Sequence, residues 1–162
     1  MITSVLCWNA ATLCRTSVFL RASEASSIRQ NPASKNFLSY YAERLNSTEV
    51  NYTFRQLPKQ STLEAWVAAT PSHFVFSLKA HMRLTHILKL QNAGEFLELF
   101  LKVIDPLRIA RRLGPILFQL PPSLKSEPEI LSEFVAQLPG DIRFAFEFRH
   151  PSWLNDEIYQ HP

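Results

Sequence analysis

Four short stretches alternate with a period of two, and each of the first three leads into a segment with helical periodicity. From about residue 37 onward, nothing else in the sequence restricts the fold as strongly. The stretches are STEVNYTF (47–54), HFVFSLKAH (73–81), PILFQLPP (115–122) and RFAFEFRHPSW (143–153). Alternation over four to eight residues marks a strand that presents different residues to its two faces. Between them lie STLEAWVAAT (61–70), AGEFLELFLKVIDPLRIARRLG (93–114) and SEPEILSEFVAQL (126–138), whose apolar residues recur at helical spacing. FLSYYAERLN (37–46) precedes the first strand, with Phe37, Tyr41 and Leu45 on one stripe. Ser61 with Glu64, and Ser126 with Glu129, stand at capping-box spacing. The long helical pattern is expected to break near Asp105–Pro106 and to end at Gly114.

Strands separated by helices form βα units, whose strands run parallel. Glu49, Lys79, Gln119 and Glu147 take equivalent late-strand positions, about 30–40 residues apart, which is the length of one such unit. In every strand the large apolar side chains share one face. The other face turns polar toward the C-terminal end, through Glu49 and Asn51, Lys79 and His81, Gln119, and then Glu147 and Arg149. A solvated edge would explain one such strand but not four in phase, because parallel sheets are covered on both faces. A TIM-like (β/α) barrel explains all four, since its C-terminal rim is where such folds place their sites. Closing eight strands takes about 250 residues, and this chain has 162. The expectation is therefore an α/β fold, an incomplete TIM-like barrel of about four βα units over residues 37–162, with open sheet edges that favour self-association.

Residues 1–36 differ from the rest. Arg15, Arg21, Arg29 and Lys35 stand against one acid, Glu24, in a Ser- and Ala-rich stretch. This reads as a divergent, disordered leader, with an organellar transit peptide as the alternative. Elsewhere the composition narrows function by exclusion. A balance of 17 basic to 14 acidic residues falls short of a nucleic-acid binder's footprint. No apolar run could span a bilayer. Two cysteines, Cys7 and Cys14, have no metal-type spacing and fit a reducing, cytoplasmic setting. Three glycines, with no Walker or GxGxxG run, leave nucleotide binding by those routes unsupported; no cofactor is expected.

Three chemistries are open at the rim. Glu49 and Glu147 could work as a proton donor and a base or nucleophile, as carboxylate pairs do in glycoside hydrolysis, with His81 beside them. The plainer alternative is a structural ion-pair network in which Lys79 and Arg149 neutralise them. Lys79, His81, Arg149 and His150 could make a positive mouth for a small phosphate or carboxylate ligand, with Arg149 as the best single fork. Arg83, His86 and Lys125 read instead as exposed loop residues. Glu49, His81, Glu147 and His150 form a possible metal set, disfavoured by the cations Lys79 and Arg149; no metal is assigned. Trp153 and Pro151 read as a cover over the rim.

YYAERLNSTEVNYTF, FVFSLKAHMRLTHI, GPILFQLPP and FAFEFRHPSW resemble, in order, the signatures of the YecE-like family, the domain of unknown function numbered 72. The resemblance runs from about Phe37 to the C-terminus. It implies a TIM-like barrel of unestablished activity, with polar motif positions at Glu49, Asn51, Lys79, His81, Gln119, Glu147, Arg149 and His150. The family's Gly-Thr-Ser-Gly-Trp type first strand has no counterpart in residues 1–36, and members continue past the Glu-Phe-Arg-His-Pro-Ser-Trp segment. Hydrolase-like chemistry is thus an expectation for a complete parent, and an inactive, oligomerising remnant is the alternative for this chain.

Overall fold

A computed structural model of the chain describes residues 4–8 and 37–154. Its elements are β1 (Ser4–Trp8), α1 (Phe37–Ala42), β2 (Ser47–Val50), α2 (Tyr52–Arg55), α3 (Gln60–Ala68) and β3 (Val75–Lys79). A π-helical turn (Arg83–Ile87) follows, then α4 (Gly94–Ile109), β4 (Leu113–Gln119), α5 (Pro128–Val135), β5 (Phe144–Phe148) and a 3₁₀ turn (Pro151–Trp153). One five-stranded sheet forms in the order β1-β5-β4-β3-β2. Strands β2 to β5 are parallel and adjacent in chain order, the arrangement expected of successive βα units. Strand β1 runs antiparallel along β5, with Ser4 opposite Phe148 and Trp8 opposite Phe144. The remaining readings of 1–36, disorder or targeting, fall outside the described residues. Among the described residues no helix is long and apolar enough to cross a membrane.

The two faces of the sheet differ as the alternation requires. Phe74, Phe76 and Leu78, then Ile116, Phe118 and Leu120, then Phe144, Phe146 and Phe148 form a core with Leu63, Leu97, Phe100, Ile104, Leu107 and Phe134 from the helices. Aromatic rings fill much of it. Phe118 meets Phe134 edge-on and stacks on Phe146, both at 5.1 Å between centroids, geometries that add to simple area burial. The opposite face carries Ser77, Leu117 and Ala145, also buried. Burial on both faces is the parallel-sheet condition, and it leaves the strand C-termini as the natural exit for polar side chains.

Local structure departs from the sequence reading in four places. The strand expected through Phe54 stops at Val50, and Tyr52–Arg55 makes a helical turn. Thr53 is responsible: fully buried, its hydroxyl reaches both Val50 O (3.1 Å) and Lys79 O (2.7 Å), offering the backbone an alternative to the ladder. Neither capping box forms. Lys59 and Glu127 hold the N-cap positions, without side-chain cap bonds. Gln60 instead bonds Glu64, and Ser126 donates its N–H to Ser152 Oγ. Helix α4 continues through Pro106, because Phe100, Ile104 and Leu107 keep one buried stripe on either side of it. It ends at a Schellman motif: Arg112 N–H bonds Leu107 O and Arg111 N–H bonds Arg108 O. The left-handed residue is Arg111 (φ 57°), where glycine is usual. Gly114 lies inside β4, where a Cβ would fall 2.7 Å from Val75 Cγ1 and 2.8 Å from Ser77 Oγ.

Candidate functional site

At the C-terminal ends of three neighbouring strands a hydrogen-bonded chain crosses the sheet. Lys79 of β3 donates from Nζ to Gln119 Oε1 (2.8 Å), and Gln119 of β4 donates from Nε2 to Glu147 Oε2 of β5 (2.7 Å). Glu147 stands directly opposite Gln119 in the register. A cation on one side and a carboxylate on the other leave the amide only one favourable orientation. All three side chains are half-buried, and charge-assisted bonds of this kind are the stronger ones.

A second group of residues joins this chain through Phe54. The Lys79 ammonium lies 4.4 Å from the Phe54 ring centroid, a cation–π contact. His86 meets the same ring edge-to-face, at 5.1 Å between centroids. The π-helical turn that carries His86 ends on two left-handed residues, Lys89 (φ 51°) and Leu90 (φ 71°), and buried Leu90 pins it. Such turns and strained residues concentrate at functional sites. His86 Nδ1 lies 2.8 Å from the hydroxyl of fully buried Thr85. Burial lowers the His86 pKa below the usual histidine value, and the positive charges of Lys79 and Arg149 lower it further. His86 is thus half-buried and charge-coupled, not the exposed loop residue expected from sequence. Arg83, stacked over Phe96 at 4.9 Å, and Lys125 are exposed.

The other expected residues are placed differently. Glu49 is exposed and its register partner is Ser77, not Lys79. Strands β2 and β5 are three spacings apart in the sheet, about 14 Å of backbone separation. Among the described residues Glu49 forms no ion pair. Asn51 is exposed at the N-cap position of α2, with no side-chain cap bond. His81 is committed to the main chain: Nδ1 accepts the Arg83 N–H at 3.1 Å and the ring also bonds the Arg55 backbone. Burial lowers its pKa, Arg83 adds to that effect, and the Arg55 bond opposes it. His150 caps the 3₁₀ turn, its Nδ1 accepting the Ser152 N–H at 3.1 Å and lying 2.8 Å from Ser152 Oγ. Trp153 is buried, stacks on Phe148 at 4.7 Å and donates to Leu124 O at 2.9 Å, tying together the loops that follow β4 and β5. Arg149 is exposed, and its charge is one cause of the lowered His86 pKa. Among the described residues no three His, Cys, Asp or Glu side chains gather as metal ligands.

A sequence profile described as "Protein of unknown function DUF72" matches residues 25–161. The chain belongs to the DUF72 family. Among curated proteins it is similar to UPF0759 protein YecE of Escherichia coli K12, 32% identical over 118 residues, which is 72% of this chain and 43% of that protein. It is also similar to UPF0759 protein YunF of Bacillus subtilis, 28% identical over 134 residues, covering 79% of this chain and 48% of that one. The chain thus spans about half the length of these curated relatives. Its fold matches a crystal structure of a DUF72 family protein from Thermotoga maritima with a TM-score of 0.72 and 29% identity, over 84% of this chain and 54% of the other. A DUF72 structure from Enterococcus faecalis matches with a TM-score of 0.65 at 23% identity, over 76% and 51%. The segments carrying Lys79, His86, Gln119, Glu147 and Arg149 all lie within the part matched by the DUF72 profile.

Proposed function

We propose that this DUF72 chain holds a small anionic ligand or substrate at the C-terminal rim of its parallel strands, within part of a TIM-like (β/α) barrel. The barrel reading draws support from four parallel strands in chain order and from longer relatives, of which the chain covers less than half. Parallel α/β sheets bind ligands outside the carboxyl ends of their strands. The observation that carries the anion reading is the charge imbalance around Phe54. The Lys79 ammonium and the His86 ring both meet Phe54, Arg149 follows Glu147 by two residues at the end of β5, and among the described residues the one carboxylate bonded into the group, Glu147, is reached through Gln119. A positive excess in a half-buried mouth favours phosphate or carboxylate groups, which an arginine fork grips bidentately. Acid–base work in this proposal falls to Glu147 and His86, because Nδ1 of His81 is taken by the Arg83 N–H.

Calorimetric titration with inorganic phosphate and acetate tests the proposal. Lys79→Met and Arg149→Met should each weaken binding about tenfold or more, the worth of one charge-assisted bond. Unchanged affinity in both variants would overturn it. If the complete site also turns a substrate over, Glu147→Gln should abolish turnover while leaving affinity intact. A second reading, a self-associating half-fold without activity, is favoured by one observation: among the described residues the outer edge of β2 has no strand partner.

A further inference from the structure

We propose a second anion site at the opposite end of the sheet from the rim: a cleft between the end of α4 and the N-terminal ends of β4 and β5 that holds a phosphate group, gripped by Arg111 and Arg143. A cavity of about 240 Å³ opens there, bordered by Arg108, Arg111 and Arg143, with Asp141 as its one carboxylate among the described residues. Arg108 stands on the last turn of α4, Arg111 in the turn that ends it, and Arg143 immediately before β5. Sheet pairing holds the two sides together, since the Ile116 N–H of β4 bonds Arg143 O at 2.9 Å. The cavity is smaller than those that take drug-sized ligands, which calls for a small occupant.

The charges around the cavity are unequal. Three guanidinium groups stand against one carboxylate, and that carboxylate is already taken: Asp141 Oδ2 accepts from Arg108 Nε (2.9 Å) and Nη2 (2.6 Å). Arg108 also reaches Asp105, at 3.4 Å. Arg108 is therefore neutralised and held as a wall, whereas among the described residues Arg111 and Arg143 form no ion pair. Exposed arginines on a convex surface would need no explanation, but two features set this group apart. Its members border one concavity. Arg111 also holds the left-handed position of the Schellman motif (φ 57°), where glycine would be unstrained, and backbone strain of this kind marks functional positions. The two unpaired forks select the ligand. A carboxylate offers two oxygens, enough for one bidentate arginine, whereas a phosphate offers three and can serve both. A phosphate monoester carries about −1.5 to −2 charge at pH 7, which two unpaired guanidinium groups balance.

Titration with inorganic phosphate, followed through the backbone amide signals of the isotope-labelled chain, tests the site. Gly114 borders the cavity and is one of three glycines in the chain, so its amide is a local reporter and should shift saturably. Arg143→Met and Arg111→Gly should each weaken that response about tenfold or more, while Lys79→Met leaves it unchanged, which separates this site from the rim. Arg111→Gly is the decisive variant: it should melt at a higher temperature than the parent yet bind phosphate less tightly, a combination that a merely structural arginine would not give. Phenyl phosphate distinguishes the source of the group. Tighter binding than inorganic phosphate, through Leu113 and Ile142 in the cavity wall, assigns the site to a phosphate monoester, and equal or weaker binding assigns it to free phosphate. A Gly114 signal that does not move, or an affinity unchanged in both arginine variants, would overturn this inference and leave the rim proposal standing. Loss of the Gly114 response in Lys79→Met would overturn it as well, assigning phosphate to the rim alone.

Discussion

Thr53 shows how one side chain shapes the rim. Its hydroxyl ends β2 by holding Val50 O, and fixes the level of β3 by holding Lys79 O. The same turn delivers Phe54 to Lys79 and His86. Thr53→Val keeps the shape and removes both bonds, leaving a buried carbonyl without its partner. The expected cost is about 1–3 kcal/mol, read from chemical denaturation, with phosphate affinity at the rim falling as Phe54 loses its footing. A variant as stable as the parent would show that the turn is held by something else. Lys79, Gln119 and Glu147 were legible in the sequence because strand period alone puts them on one face at one end. His86 was not, because π-helical turns have no sequence period, and its partner Phe54 looked like the next residue of a strand. His81 looked the better histidine, but its Nδ1 is taken by the Arg83 N–H.

Helix α4 and strand β4 meet at a junction with two opposed demands on the backbone. Arg111 sits left-handed in the Schellman motif, a conformation that costs a side-chain-bearing residue about 1–2 kcal/mol. Arg111→Gly should therefore raise stability by about 1 kcal/mol, seen as a higher melting temperature; a fall would mean that the arginine side chain contributes more than the strain removes. Three residues later the demand reverses. Gly114→Ala would drive a methyl against Val75 and Ser77 and should destabilise by about 1–3 kcal/mol in the same assay. The sequence showed that a helix ends and a strand begins here, but it placed the glycine at the helix end. Only the approach of β3 reveals that Gly114 serves the sheet. The capping boxes failed because other partners took those groups: Ser152, distant in sequence, holds the Ser126 N–H, and Gln60, one helical turn away, holds Glu64.

The parallel βα order across the molecule was legible, because period and spacing carry it. Strand β1 was not, since the five residues Ser4–Trp8 are too few to show a period. The sheet ends in antiparallel β1 on one side and in β2 on the other, and among the described residues β2 has no outer strand partner. Glu49 is the charge on that bare edge, and edge charges discourage strand-to-strand association. Glu49→Val should shift the chain toward dimers at lower concentration, measured by size-exclusion chromatography with light scattering; an unchanged mass across a concentration series would count against the β2 edge as a contact surface. Through the middle of the same sheet runs the bridge from Lys79 through Gln119 to Glu147. A primary amide carries a pull from one end to the other but cannot hand a proton along. The bridge is in effect an insulator. It couples the two charged ends mechanically and electrostatically while keeping their protons apart, so that the Lys79 ammonium cannot pass its proton through Gln119 to the Glu147 carboxylate.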